Sequence, residues 1–204
     1  MKTLLLLPAV LVAATLPFGS PATVPAELAA TAGPNDWAVD SGHSSVVFRV
    51  KHANAAWFHG TFDRLTGRVS LDPAAPEKGS VELTIPVDSI DTNDQKRDDH
   101  LRAPDFFNSK ENPDITFTST KIAKKGGAGE LLDVTGELSM AGKTKTITIP
   151  VQATGEGELY GKRKGWMTEF TIRRSDFGMT YGVDKNALGD EVTLMIAIEG
   201  VQAK

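Results

Sequence analysis

The 204-residue chain contains no cysteine, which excludes disulfides, thiolate zinc sites, Fe–S clusters and thiol catalysis together. Histidine is scarce. His43, His52, His59 and His100 are the only four, with no His-x-His or His-Glu-x-x-His spacing among them. A metal centre needs about three converging ligands, so no metal site is expected. The chain also lacks a field of one sign. Its 22 Lys and Arg against 26 Asp and Glu leave a net charge of −4, which argues against nucleic acid as a partner. No Gly-x-Ser-x-Gly elbow is present. The run Gly155-Glu156-Gly157-Glu158-Leu159-Tyr160-Gly161 superficially matches a dinucleotide loop, but its last glycine is one residue too far and no helix follows. A loop between strands is the expected reading, and no cofactor is expected.

What is present begins with a leader. Lys2 precedes an apolar run from Leu4 to Leu16, followed by Pro17, Gly19, Ser20 and Pro21. A membrane-spanning helix needs about 20 apolar residues, and this run is interrupted first. The pattern is that of a secretory signal peptide, with small-residue cleavage sites after Ala22 and Ala32. Residues 1–32 are therefore read as signal peptide and leader, and 33–204 as one domain, periplasmic or secreted. With no cysteine, no lipoprotein anchor or disulfide is available, and the core alone must hold the exported domain together.

From Trp37 onward the dominant period is two. In Val46-Val47-Phe48-Arg49-Val50-Lys51, one face carries Val46, Phe48 and Val50 and the other Val47, Arg49 and Lys51. Similar segments rich in Val, Ile, Thr and Phe are bounded by Gly, Pro, Asp or Lys: 58–63, 67–71, 80–87, 115–120, 131–140, 144–153, 166–173 and 191–201. Eight or nine short strands without intervening helices predict an all-β barrel or sandwich. One stretch differs. Thr92-Asn93-Asp94-Gln95 has the form of a capping box, with Thr92 as the cap. The charged segment that follows, with Leu101, Phe106 and Phe107 as its apolar contacts, predicts a helical flap laid against a barrel.

Two charged groups carry alternatives. Asp88, Asp91, Asp94, Asp98 and Asp99 lie near Arg97 and His100, where a general acid and base would be available. A solvated helix face with ion pairs is the commoner use of such a cluster. Lys162-Arg163-Lys164 reads as transient contact with anionic lipid head groups or as ordinary soluble surface. The nine phenylalanines and three tryptophans suit a closed barrel, whose interior is either filled by side chains or left open for a small ligand. Composition leaves both open. Alternation places Phe48, Val50, Phe62, Phe117, Phe170 and Ile172 inward, with Phe106 and Phe107 closing one end from the flap.

Several separate motifs then converge. Trp37-Ala38-Val39-Asp40, His43-Ser44-Ser45-Val46-Val47-Phe48 and Gly60-Thr61-Phe62 open the domain. Ser89-Ile90-Asp91-Thr92, Arg97-Asp98-Asp99-His100-Leu101 and Asp105-Phe106-Phe107 follow. Pro113-Asp114-Ile115-Thr116-Phe117, Val134-Thr135-Gly136-Glu137-Leu138, Arg174-Ser175-Asp176-Phe177-Gly178 and Ile198-Glu199-Gly200-Val201 complete the series. In this order, from Trp37 to Gln202, they resemble the YceI-like polyisoprenoid-binding family. The resemblance implies a lipocalin-like, eight-stranded antiparallel β-barrel enclosing a polyisoprenoid or isoprenoid quinone, a soluble periplasmic or secreted protein, and pairing into homodimers. It favours an open interior. One position departs from expectation: Ala141-Gly142 stands where Asn-Gly would suit a tight hairpin. Three functions compete on this basis: a non-catalytic lipid carrier, a lipid-modifying enzyme using His100 with Asp98 at the barrel mouth, and an interaction protein whose cavity is incidental. Arg97, Asp98 and His100 are expected to anchor the flap, with Asp176 as a partner for Arg97.

Overall fold

Residues 33–126 and 131–203 are described by the structure, a computed structural model; the leader read from residues 1–32 lies outside them. Eleven strands run through the described residues: β1 (Asp36–Val39), β2 (Ser45–His52), β3 (Ala56–Phe62), β4 (Thr66–Ser70), β5 (Ser80–Pro86), β6 (Ile90–Asp91), β7 (Asp114–Lys124), β8 (Leu131–Met140), β9 (Lys143–Glu158), β10 (Lys162–Arg173) and β11 (Leu188–Gln202). The period-two segments thus become strands, and the short β1 and β6 are additions. Every pairing is antiparallel, and the order β1-β4-β5-β7-β8-β9-β10-β11 returns to β1. An eight-stranded antiparallel barrel is closed in this way, and closure removes the unpaired edges that an open sheet leaves.

β1 and β2 lie in succession along one side of β11. Trp37–Val39 pair with its last residues, Gly200–Gln202, whereas β2 pairs with Leu188–Ala197. The sheet therefore continues past the barrel through β2, β3 and β6 at one end, where the α-helix α1 (Gln95–Arg102) and the 178–187 loop cover it. This end is the mouth, and the β1 end is the base.

At the base, Trp37 and Trp166 pack edge to face with centroids 6.0 Å apart. Gly200 makes this fit: a Cβ there would stand 2.8 Å from Trp37 Cβ and 2.9 Å from Trp166 Cζ3. The β8–β9 hairpin places both Ala141 (φ 48°) and Gly142 (φ 73°) in the left-handed region, the signature of a type I′ turn. Ala141 accepts that conformation because the long β8–β9 ladder on either side holds the turn closed. The β9–β10 ladder ends at Gln152↔Met167. Pro150 is the physical reason, since it has no N–H with which to extend the ladder.

The expected loop 155–161 is mostly strand, with β9 reaching Glu158 and a turn at Leu159–Gly161. Lys162-Arg163-Lys164 is likewise no soluble loop but the start of β10. Lys164 is only 4% exposed, with Nζ 2.7 Å from Glu156 Oε1. Arg163 Nη1 donates to Asp40 Oδ2 and Glu199 Oε1, each at 2.6 Å, tying β10 to the β1–β2 corner and to β11. Burial works to raise the Asp40 carboxyl pKa. Hydrogen bonds from Arg163, His43 and the Gly42 N–H outweigh that and hold it below the usual range.

A depressed carboxylate pKa stabilises the fold above its unfolded value, about 3.9, and that stabilisation disappears as pH falls through the folded value. Arg163→Gln is expected to cost on the order of 1 kcal/mol at pH 7. Chemical denaturation at a series of pH values should show the deficit shrinking below pH ~3.9. A deficit that stays constant from neutral to strongly acid pH would disprove the linkage to Asp40.

Candidate functional site

Among the described residues, two apolar spaces lie end to end along the barrel interior. The larger, at the mouth, has a volume of about 80 Å³ and is lined by fifteen residues, of which only Arg174 is polar. Phe48, Val50 and Phe62 come from β2 and β3, Ile172 from β10, and Phe106 and Phe107 from the segment after α1. Six of the eight residues read as ligand-facing are thus brought together. The other two are placed elsewhere. Phe117 is buried and Phe170 half-buried in the core, and neither lines the mouth cavity.

Their position has a pattern. Along β7, Ile115 lines the mouth cavity, Phe117 neither, and Ile122 the deeper one. Along β8 the sequence is Met140, Leu138, Val134, and along β10 it is Ile172, Phe170, Thr168. Phe117, Leu138 and Phe170 therefore form a layer between the two cavities. Gly136 seats this layer: a Cβ there would lie 2.6 Å from Phe117 Cζ, so the ring rests on the glycine backbone. The deep cavity holds about 30 Å³ and includes Val151, Trp166, Thr168 and Ile196 in its lining.

The flap over the mouth is short, eight residues, and an isolated helix of that length does not persist in water. Its ties are specific. Asp94 is the N-cap, accepting from Arg97 N at 3.0 Å, which corrects the expectation of Thr92 in that role. Thr92 serves as a bridge instead. Its N and Oγ1 donate to Asp98 Oδ1 at 3.0 and 2.5 Å, and Arg97 donates to Thr92 Oγ1 at 2.8 Å and to Thr92 O at 2.7 Å. The guanidinium of Arg97 also lies 4.4 Å from the Phe58 ring centre. Arg97 is therefore spent on Thr92, not on Asp176. Arg102 Nη2 reaches the carbonyls of Asp88 and Ile90 at 3.1 and 3.0 Å.

His100 sits on the outer side of this flap. Its Nε2 is 2.9 Å from Asp105 Oδ2, and its ring meets Phe106 and Tyr181 edge-on, with centroids 5.1 and 5.0 Å away. Neither His100 nor Asp98 lines the mouth cavity. Asp98, 6% exposed, is occupied by Thr92. The acid–base pair considered from sequence is thus divided between two partners, His100 with Asp105 and Asp98 with Thr92.

Arg174 is the unexpected member of the site. It is 4% exposed, and it donates to four carbonyls: Gly189, Met179 and Tyr181 at 2.8 Å and Leu188 at 2.9 Å. Burial pulls its pKa down, with Asp190 acting the other way. Its fork gathers the 179–189 backbone into the rim of the mouth. The motif Arg174-Ser175-Asp176-Phe177-Gly178 is visible in the sequence; the carbonyl targets, spread from Met179 to Gly189, are not. Asp40, His43 and Glu199 bring ligand-type atoms within 4.8 Å of one another at the base. The guanidinium of Arg163, bonded to both carboxylates, already supplies positive charge there.

Comparison with known proteins agrees with this architecture. A family model described as YceI-like domain matches residues 37–200. Protein YceI of Salmonella newport is 39% identical over 164 residues, covering 79% of this chain and 83% of that protein. The crystal structure of Burkholderia cenocepacia BcnA superposes with a TM-score of 0.72 at 31% identity, covering 79% of this chain and 98% of that one. A polyisoprenoid binding domain from Saccharophagus degradans shares the fold at a TM-score of 0.63 and 18% identity, covering 81% and 98%. With its eight-stranded barrel, its flap and a match spanning nearly all of the described residues, the chain belongs to the YceI-like family.

Proposed function

We propose that the chain is a non-catalytic binding protein for an elongated apolar lipid of the polyisoprenoid or isoprenoid-quinone class, held inside the barrel. The observation that carries this reading is the mouth cavity, walled by fourteen apolar side chains and covered by a small, polar-tied flap. The residues read from sequence as ligand contacts, Phe48, Val50, Phe62, Phe106, Phe107 and Ile172, are proposed as its contacting wall. Phe117 and Phe170 are proposed as inner contacts once the chain passes between them. Each buried CH₂ contributes about 0.8 kcal/mol, so a tail of several isoprene units binds strongly with few polar contacts.

Size sets the mechanism. The mouth cavity of about 80 Å³ is smaller than the ~150 Å³ cavity that accommodates a benzene. An isoprenoid chain must therefore widen the barrel. The parts that move in this reading are the flap, tied to the Asp88–Thr92 segment by hydrogen bonds, and the aromatic layer beneath it. Delivery and release of lipid need no acid–base pair, consistent with His100 and Asp98 being engaged elsewhere. The leader in residues 1–32 and the family membership support a periplasmic or secreted location for this carrier.

Organic extraction of the natively produced protein, followed by mass spectrometry, tests the proposal. A near-stoichiometric, chemically unaltered isoprenoid lipid is expected. Protein that carries no lipid and fails to take up a polyprenol or quinone from vesicles would overturn it.

A further inference from the structure

The base of the barrel contains polar atoms that its apolar surroundings do not use. Trp37 Nε1, Trp166 Nε1 and Thr168 Oγ1 are fully buried and have no hydrogen-bond partner among the described residues. Buried polar groups in folded proteins are almost always paired, and an unmade bond in an apolar interior is costly. Three such atoms gathered at one end therefore call for a partner. The two indoles touch each other edge to face. Trp166 and Thr168, two residues apart on β10 and so on the same face, both line the deep cavity of about 30 Å³.

The donor set defines what it would take. Indole offers only an N–H, and a threonine hydroxyl donates or accepts. The cations nearby in sequence are already neutralised: Lys164 pairs with Glu156, and Arg163 with Asp40 and Glu199. The rest of the lining includes Val151, Ile196 and Ile198, which would leave a phosphate or carboxylate desolvated and unpaired. A neutral oxygen suits both the donors and the space.

We infer that the deep cavity binds the uncharged oxygen end group of an apolar chain, a carbonyl or hydroxyl, through Trp166 Nε1 and Thr168 Oγ1. The inference rests on the lipid-binding reading and adds to it a direction and a head-group class. The ligand lies with its neutral polar end at the base, and its tail passes the Phe117–Phe170 layer toward the mouth. Ile196 in the deep lining and Leu194 in the mouth lining, neighbours on the same face of β11, mark the two ends of that path.

Indole ¹⁵N–¹H spectra of the full chain provide the test, because its three tryptophans give three signals and half-exposed Trp57 serves as the internal control. 1-Hexadecanol should shift the Trp166 indole signal and leave Trp57 in place. Hexadecane should bind without moving the Trp166 indole, and about tenfold more weakly, as expected for one unmade buried hydrogen bond. Thr168→Val and Trp166→Phe should each reduce that tenfold preference while hexadecane affinity stays level.

Binding of both probes with no indole shift would overturn the inference and leave the lipid-binding reading standing. So would hexadecyl phosphate binding as tightly as the alcohol. Persistent water contacts at the Trp166 N–H in the alcohol-saturated protein would assign the donors to buried water and sink the inference as well. Binding of neither probe would remove the lipid reading and this inference with it. The native-chain spectra decide the matter even where a variant fails to fold.

Discussion

Arg174→Met should destabilise the domain by about 3–5 kcal/mol, among the largest effects available to one substitution here. The charge itself is not the reason, because replacing a buried ion by an apolar residue of similar volume is often neutral. The reason is the four carbonyls of Met179, Tyr181, Leu188 and Gly189, which all accept from this one side chain. Methionine fills the volume and deprives all four of this donor. Arg174→Lys should restore little, since an ammonium is a compact point charge and cannot span the arc that the planar fork covers. Urea titration measures the loss, and amide exchange should show protection vanishing first across 179–189. A Met variant within about 1 kcal/mol of the native chain would mean the rim holds itself and Arg174 only decorates it.

Phe117→Ala should cost about 3–5 kcal/mol, the usual range for deleting a buried phenylalanine. For a domain of this size that corresponds to a fall in Tm of roughly 6–20 °C. The structural consequence matters more than the magnitude. Phe117 stands in the layer between the cavities, with its ring against the Gly136 backbone. Removing it should join the two spaces into one dry apolar cavity that takes benzene more tightly than the native chain does. Thermal melts with and without saturating benzene check this: the variant should be stabilised more than the native protein. Equal stabilisation of both, or of neither, would show that Phe117 does not separate the cavities.

These two residues also show how far the sequence reaches. Phe117 is readily read as inward-facing, because alternation along a strand has a period of two and one face must be apolar. The same rule places Phe48, Val50, Phe170 and Ile172, and it finds the strands that build the barrel. The flap is equally legible, since its charged composition and flanking phenylalanines break that period. Its cap is not. Thr92 and Asp94 are both good capping residues, and the choice falls to Asp94 because Thr92 is already engaged by Asp98 and Arg97.

Burial of charge is less legible still. Arg163 and Lys164 read as surface because long cationic side chains usually are. Lys164 is buried and Arg163 half-buried here because Asp40, Glu199 and Glu156 arrive from three other segments to pair with them. Arg174 follows the same logic, with backbone carbonyls as the partners.

The amino-acid sequence by itself determined which side chains face the interior and that one helical flap interrupts the strands, since each depends on neighbours a few residues apart. Only the tertiary structure decided how deep each inward residue lies. Depth follows from strand register and tilt around the closed barrel, set by pairings such as Phe117↔Leu138 and Phe170↔Leu194 between distant segments. That is why Ile172 meets the mouth cavity, Phe170 the partition and Thr168 the base, although all three share one face of one strand.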